Sequence, residues 1–166
     1  MGKPLYTLEV RIVEGLMTDD FIARNPVVSR TIEIRADQTL AQLHKRIFMA
    51  FDRWDDCHLH EFHFGRGLRD QGGDRYVLPF IYDDPEKYDD PGATGNVAKT
   101  NLGDLDLQVG QTFGYWYDFG DNWYHQISVL SVGEADPQKR YPRIVGRVGD
   151  SPPQYPMVDE DEEEEE

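Results

Sequence analysis

The stretch TFGYWYDFGDNWYHQISVL, residues 112–130, decides how this chain folds. It contains two aromatic-rich runs on either side of Gly120-Asp121, a pair of residues that is typical of the turn in a β-hairpin. In each run, alternate side chains point to opposite faces of the strand, so that one face can pack against a core. We therefore expect two adjacent antiparallel strands here, joined by a tight turn.

The loop length sets the register of this hairpin. A loop of two residues and a loop of four residues around the same turn both place Asp118 opposite Trp123 and Trp116 opposite His125. The even spacing puts these four side chains on one face, where Asp118 is a diagonal neighbour of His125. The opposite face then carries Tyr115, Tyr117 and Tyr124.

Other segments predict the rest of the sheet and one helix. Residues 5–13 alternate apolar and polar side chains, which indicates a half-buried strand, and residues 28–35 predict a second strand. After Thr39 the apolar period changes to three and four, which is typical of a helix. Thr39 and Gln42 predict a capping box at its start, with Asp37 as the alternative cap. The apolar stripe consists of Leu40, Leu43, Ile47, Ala50, Phe51 and Trp54.

The remaining elements are expected to be short. Residues 59–64 predict a third strand, and residues 76–82 predict a strand that Pro79 restricts to the edge of a sheet. Residues 83–96 are rich in Asp, Pro and Gly and predict a surface loop. Two further elements are expected, a helical turn within 102–107 and a strand at 143–148.

Together these elements predict an α+β fold, in which a mixed, mostly antiparallel sheet packs against one main helix and includes an aromatic C-terminal hairpin. Residues 1–156 suffice for a single domain with one core. The last eight residues, 159–166, are all acidic. We expect residues 157–166 to form an acidic disordered tail, because a block of like charges repels itself.

Charge and cysteine content restrict the function classes. The 32 acidic side chains outnumber the 17 basic ones, which argues against nucleic acid as a partner, because affinity for phosphates depends on Lys and Arg. With Cys57 as the single cysteine no intrachain disulfide is possible, and neither a signal sequence nor a membrane span is evident. We therefore expect a cytoplasmic protein. The alternative is that a local patch of basic side chains binds nucleic acid despite the overall negative charge. The candidates for this patch are Arg24, Arg30, Arg35, Lys45, Arg46 and Arg53.

Histidines stand beside apolar residues in the segment WDDCHLHEFHF, residues 54–64. On a strand, His58 and His60 share one face with Phe62 and Phe64. If the two phenylalanines point inward, His60 lies at the core and His58 at its rim. Two residues then face the other way, Glu61 and His63.

The hairpin and this segment predict a pocket in which His60, His125 and Asp118 converge inside an aromatic wall. Imidazole with carboxylate orients a proton-transfer histidine or binds a divalent metal. The alternatives are that each histidine is a core residue with a structural hydrogen-bond partner, or that Cys57 is a thiol nucleophile. The candidate pocket residues are His58, His60, Asp118, Asp121, Trp123 and His125, and the metal candidates among them are His60, His125 and Asp118.

Three motifs occur in order, TLAQLH at 39–44, WDDCHLHEF at 54–62 and YDFGDNWYH at 117–125. Their combination resembles the plasmid pRiA4b ORF-3-like family over about residues 5–156. The resemblance implies a compact α+β domain with a sheet against a helix. It implies no catalytic residues, because none are defined for that family.

Two functions are compatible with these observations. The first is a non-enzymatic binding or interaction module, an accessory protein of mobile elements, with a protein partner at the tyrosines of the hairpin if these are exposed. The alternative for these rings is that they pack against loops of the same chain. The binding module is favoured because the sequence shows no phosphate loop, catalytic triad or cofactor fingerprint, and it requires no cofactor. The alternative is a metal-dependent or His/Asp-based hydrolase that uses His60, His125 and Asp118, with Asp121 or Glu61 in support. The oligomeric state stays open.

Overall fold

A computed structural model describes residues 2–65 and 72–155 of this chain. The predicted acidic tail, 157–166, lies outside the described residues. Within them the fold contains eight strands, three helices and one short 3-10 turn. The strands are β1 (Pro4–Glu14), β2 (Ser29–Arg35), β3 (His60–His63), β4 (Arg75–Val77), β5 (Gly95–Asn96), β6 (Thr112–Tyr117), β7 (Trp123–Glu134) and β8 (Arg143–Val148). The helices are α1 (Asp19–Arg24), α2 (Leu40–Ala50) and α3 (Pro79–Asp83), and the 3-10 turn is Leu102–Leu105.

All eight described strands form one sheet in the order β5-β4-β3-β6-β7-β1-β2-β8. Neighbouring strands are antiparallel except β4 and β5, which are parallel. Helix α2 contributes its buried residues to the same core as the inner face of the sheet. The predicted α+β fold, a mixed and mostly antiparallel sheet with one main helix, is confirmed. None of the helices in the described residues has the length and apolar character that crossing a membrane requires.

Helix α2 begins as predicted and ends earlier. The side chain of Thr39 accepts a hydrogen bond from the amide of Gln42, and the Gln42 side chain accepts one from the Thr39 amide, which completes the capping box. The helix ends at Ala50, because Asp52 has a left-handed φ of 55°. Trp54 was expected on the apolar stripe, and this is wrong, since its exposed fraction is 71%.

The hairpin between β6 and β7 forms, but its register differs from the predicted one by one residue. Tyr117 pairs with Trp123, and Tyr115 pairs with His125. The loop therefore has five residues, 118–122, and is held by the Asp118 carboxylate, which accepts hydrogen bonds from two amides of the loop. An odd loop length shifts the pairing by one position and turns every side chain of one strand to the other face.

This register reverses the predicted faces of β6. Tyr115 and Tyr117 are completely buried in the core, whereas Trp116 lies on the outer face, stacked on Tyr124 with their ring centroids 5.4 Å apart. Tyr124 is itself 8% exposed. The expectation that these three tyrosines are exposed is therefore wrong.

The region after β3 also differs from expectation. Pro79 does not lie within an edge strand but occupies the first turn of α3, where its missing amide hydrogen costs nothing. The edge of the sheet is instead β5, which lies in the segment predicted as a surface loop. The outward-facing side of β3 is buried as well, since Glu61 pairs with Arg75 at 3.2 Å and Arg75 with Asp90 at 2.8 Å.

Candidate functional site

A groove of about 450 Å³ opens between the first half of α2, the loop before β3, the start of α3 and the residues after β5. Its polar lining comes from three histidines, two of them in the predicted pocket, together with neighbouring charged and thiol groups. The polar residues are His44, Lys45, Asp56, Cys57, His58 and His60. The apolar walls consist of Ala41, Leu59, Leu78, Pro79, Phe80, Val97 and Ala98.

His44 projects from α2 and is held from both sides. Its Nε2 lies 3.0 Å from Asp56 Oδ1 and 3.2 Å from Oδ2, and its Nδ1 lies 2.6 Å from the hydroxyl of Tyr115. Because a carboxylate has no proton to give, Nε2 donates to Asp56. Burial holds the pKa of Tyr115 well above its usual range, so its hydroxyl keeps the proton and can donate to Nδ1 of His44. Both nitrogens of His44 are therefore engaged.

His60 stacks on His44 in the wall of the groove. The two ring centroids are 3.6 Å apart, and the rings are inclined by only 2°. The side chain is 4% exposed, and burial, with a contribution from His44, lowers the pKa of His60 well below the usual value. Its Nε2 has no hydrogen-bond partner within the described residues. Burial therefore favours a neutral imidazole, whose Nε2 is enclosed without a partner among the described residues.

His58 lies at the rim and is bonded to the end of the described chain. Its Nε2 is 2.5 Å from the hydroxyl of Tyr155, which donates its single proton to Asp55 Oδ2 at 2.9 Å and so accepts from His58. Its Nδ1 is 3.5 Å from Oδ2 of Asp118. Burial and the bond to Asp55 raise the pKa of Tyr155 to about 12. The side chain of Gln154 bonds the backbone of Trp54 and Asp55, so the C-terminal segment holds the loop that carries Asp56 and His58.

His125 belongs to a different cluster, inside the core. Its Nδ1 donates to the carbonyl of Tyr115 at 3.1 Å, and its Nε2 accepts from the guanidinium of Arg53 at 2.9 Å. Burial and the Arg53 charge hold the pKa of His125 well below the usual value. Arg53 lies 5.3, 5.2 and 5.0 Å from the ring centroids of Phe51, Tyr117 and Trp123 respectively, and burial lowers its pKa to about 10.

The structure thus divides the six predicted pocket residues among three places. His58 and His60 line the groove, Asp118 and Asp121 lie in the hairpin loop, and Trp123 and His125 surround Arg53. The described residues contain no group of three or more His, Cys, Asp or Glu side chains that could hold a metal ion. The expected convergence of His60, His125 and Asp118 is therefore wrong. Its physical cause is the register of the hairpin, which turns Asp118 away from His125.

Asp118 instead stabilises the hairpin loop with one carboxylate oxygen and contacts His58 with the other. Its Oδ1 accepts from the amides of Gly120 and Asp121 at 3.2 and 3.1 Å. Burial and the neighbouring Asp118 raise the pKa of Asp121. The thiol of Cys57 is exposed, and its hydrogen bond to Asp55 raises its pKa, which is the opposite of an activated nucleophile.

Sequence reasoning missed His44, Asp56 and Tyr115 as site residues. His44 follows Leu40 by four positions and so lies on the buried face of α2, which is a signal that the helical period contained. No comparable signal exists for Asp56, because its loop is positioned by the distant Gln154. Tyr115 was placed on the wrong face by the register error.

Comparisons with known proteins identify relatives over most of the chain. The family described as plasmid pRiA4b ORF-3-like protein matches residues 20–155. The uncharacterized protein y4hQ of Sinorhizobium fredii is 30% identical over 129 residues, which cover 78% of this chain and 59% of that protein. The chain therefore spans about three-fifths of the length of this curated relative. The crystal structure of a protein of unknown function, MM3350 from Methanosarcina mazei Go1, has a similar fold, with a TM-score of 0.63 and 24% identity over 89% of this chain and 71% of that one.

Proposed function

Because the chain belongs to the plasmid pRiA4b ORF-3-like protein family, a description that carries no activity, we propose from its geometry that it is a non-enzymatic binding protein whose ligand site is the groove beside α2. The observation that carries this proposal is that the apolar walls of the groove end at a partly exposed carboxylate, Asp56, which His44 holds in place. An apolar pocket with a fixed polar group is the usual form of a small-molecule site.

The shape and lining of the groove support a small molecule as the ligand. Its volume of about 450 Å³ falls within the range of roughly 300–1,000 Å³ that small-molecule sites occupy. Such sites have mostly apolar walls and a few fixed polar groups that orient the ligand. Here the apolar walls meet His60 and the His44–Asp56 pair at one end.

The hydrolase alternative has less support from the same contacts. A proton-transfer histidine needs one nitrogen oriented by a partner and the other directed at the substrate. Both nitrogens of His44 and both of His125 are already bonded to protein groups. His60 has a free nitrogen, yet its close neighbour in the wall is the stacked ring of His44 and not a carboxylate.

The basic-patch alternative for nucleic acid also loses two of its members. Arg30 is 2% exposed, and its guanidinium bonds carbonyl oxygens, among them that of Ala50 at 2.8 Å. Arg53 is 7% exposed and lies in the aromatic cluster with His125. Neither side chain is therefore placed to reach a phosphate.

The test is binding of the neutral apolar dye Nile red to the full chain, followed by fluorescence. Ala98 is an exposed residue that lines the groove, so Ala98→Trp fills it from the surface. Ala23 is an exposed residue of α1 outside the groove, and Ala23→Trp is the matched control. We expect Ala98→Trp to abolish dye binding and Ala23→Trp to retain it. Equal binding by both variants, or none by the unaltered chain, would contradict the proposal.

A further inference from the structure

The rigid carboxylate of the groove points to the charge of its ligand. Asp56 is the one acidic residue that lines the groove within the described chain, and its side chain is 42% exposed. We propose that the ligand is a small organic cation, in which an ammonium or guanidinium group pairs with Asp56 and an apolar body lies between the walls. This inference rests on the proposed binding function of the groove.

Asp56 is held in place by a chain of hydrogen bonds that begins in the core. Both of its oxygens lie within hydrogen-bond distance of His44 Nε2, and the other nitrogen of His44 is bonded to the fully buried Tyr115. A carboxylate has about four acceptor positions, so one donor from His44 leaves acceptors for a ligand. A charge held in place in this way costs little ordering entropy when it pairs with a cation.

Neither His60 nor Lys45, which both line the groove, fixes a positive charge beside Asp56. His60 remains neutral because burial lowers its pKa. Lys45 lines the groove, but it is exposed on α2, and its ammonium forms no ion pair among the described residues. Its flexible four-carbon stem lets the charge move to solvent, where it is well hydrated. Asp56, in contrast, cannot move away without breaking its bond to His44.

The rim near α3 is aromatic and mainly acidic, and a neighbouring cation, Lys87, has its ammonium 5.4 Å from the centroid of the Tyr88 ring. Phe80, which lines the groove, is 46% exposed and makes an edge contact with Tyr88 at 5.2 Å. Aromatic faces attract organic cations. Exposed carboxylates follow Phe80 closely along the chain, at Asp83, Asp84 and Glu86. With a formal net charge of −15 the whole chain attracts cations and repels anions.

The experiment compares three probes that share one ring system and differ in charge. These are 1-naphthylmethylamine as the cation, 1-naphthalenemethanol as the neutral probe and 1-naphthoate as the anion. Isothermal titration calorimetry of the full chain at neutral pH measures each dissociation constant. We expect the amine to bind tightest, about fivefold tighter than the alcohol, since a partly exposed ion pair contributes up to about 1 kcal/mol. The naphthoate is expected to bind most weakly.

Charge variants separate the effect of the ion pair with Asp56 from the effect of the overall negative charge of the chain. Asp56→Asn keeps an acceptor for His44 and should weaken amine binding about fivefold while leaving the alcohol unchanged. Asp20→Asn removes the same charge from an exposed position of α1, away from the groove and its rim, and should change amine binding by less than about twofold. Equal amine affinity in Asp56→Asn and the unaltered chain overturns the inference, as does tighter binding of the naphthoate.

The two proposals fail in different ways. If all three probes bind with similar affinity and Ala98→Trp abolishes their binding, the groove is a ligand site and the inference about charge is wrong. If none of the three binds, or if Ala98→Trp leaves binding intact, the proposed function of the groove fails together with the inference.

Discussion

Lowering the pH from 7.5 to 5.5 should destabilise this protein through two buried histidines. His60 and His125 are 4% and 0% exposed, and burial holds the pKa of each well below the usual value. In the unfolded chain both titrate near an ordinary pKa of about 6.5. Below that pH the unfolded state binds two protons that the folded state does not, so the free energy of unfolding falls as the pH falls.

The magnitude follows from this difference in proton binding. One pH unit below the ordinary pKa, each histidine costs about 1.4 kcal/mol, so that the two together cost about 3 kcal/mol at pH 5.5. Carboxylates whose pKa is lowered, such as Asp37 and Asp55, lose their contribution only as the pH falls below about 4. The interval from pH 7.5 to 5.5 therefore reports mainly on histidines.

Urea unfolding followed by tryptophan fluorescence measures this dependence at constant ionic strength. His60→Leu removes one of the two groups, and its own pH dependence over the interval should be smaller by about 1.4 kcal/mol. This comparison does not depend on the absolute stability of the variant, because each protein is compared with itself. A free energy of unfolding that is flat or rises from pH 6.5 to 5.5 would refute the assignment of neutral, buried histidines.

Four further substitutions, of which Gly133→Ala is a control, test the packing around the site by the same urea assay. Gly15→Ala should lower the free energy of unfolding by at least about 2 kcal/mol, because the new Cβ would lie 2.1 Å from Trp123 Cε3. At Gly133 a new Cβ would have no atom within 4 Å, so Gly133→Ala should change the free energy of unfolding by less than about 1 kcal/mol. Similar values for both variants would contradict the contact between Gly15 and Trp123. Gln154→Ala removes the bonds at 3.0, 3.1 and 2.8 Å to the backbone of residues 54–55 and should cost about 2 kcal/mol, and a neutral effect would show that the C-terminal segment does not hold this loop. Tyr115→Phe leaves Nδ1 of His44 without its donor and should cost about 1–3 kcal/mol, so a stabilised variant would disprove this buried hydrogen bond.

The regular elements of the fold were predictable from local patterns. The alternation in residues 5–13 corresponds to β1, and the apolar stripe and capping box after Thr39 correspond to α2. These patterns work because one face of each element must be apolar for the element to pack. The error at Trp54 arose because the left-handed backbone of Asp52, which the apolar period does not encode, ends the helix first.

The candidate site was predictable only in part. His58 and His60 both line the groove because they are two residues apart in the chain, His60 at the first position of β3 and His58 in the loop before it. Their neighbours His44 and Tyr155 come from two distant parts of the chain, and contacts at such separations leave no periodic signal.

The sequence by itself determined the α+β class, the main helix, the aromatic hairpin and the excess of negative charge, because these depend on composition and on periods of two and 3.6 residues. Only the tertiary structure decided which side chains meet. A single extra residue in the loop at 118–122, held by the Asp118 carboxylate, sends Tyr115 and Tyr117 into the core. That one-residue shift separates His125 from Asp118, and packing of α2 on the sheet brings His44 onto His60 instead.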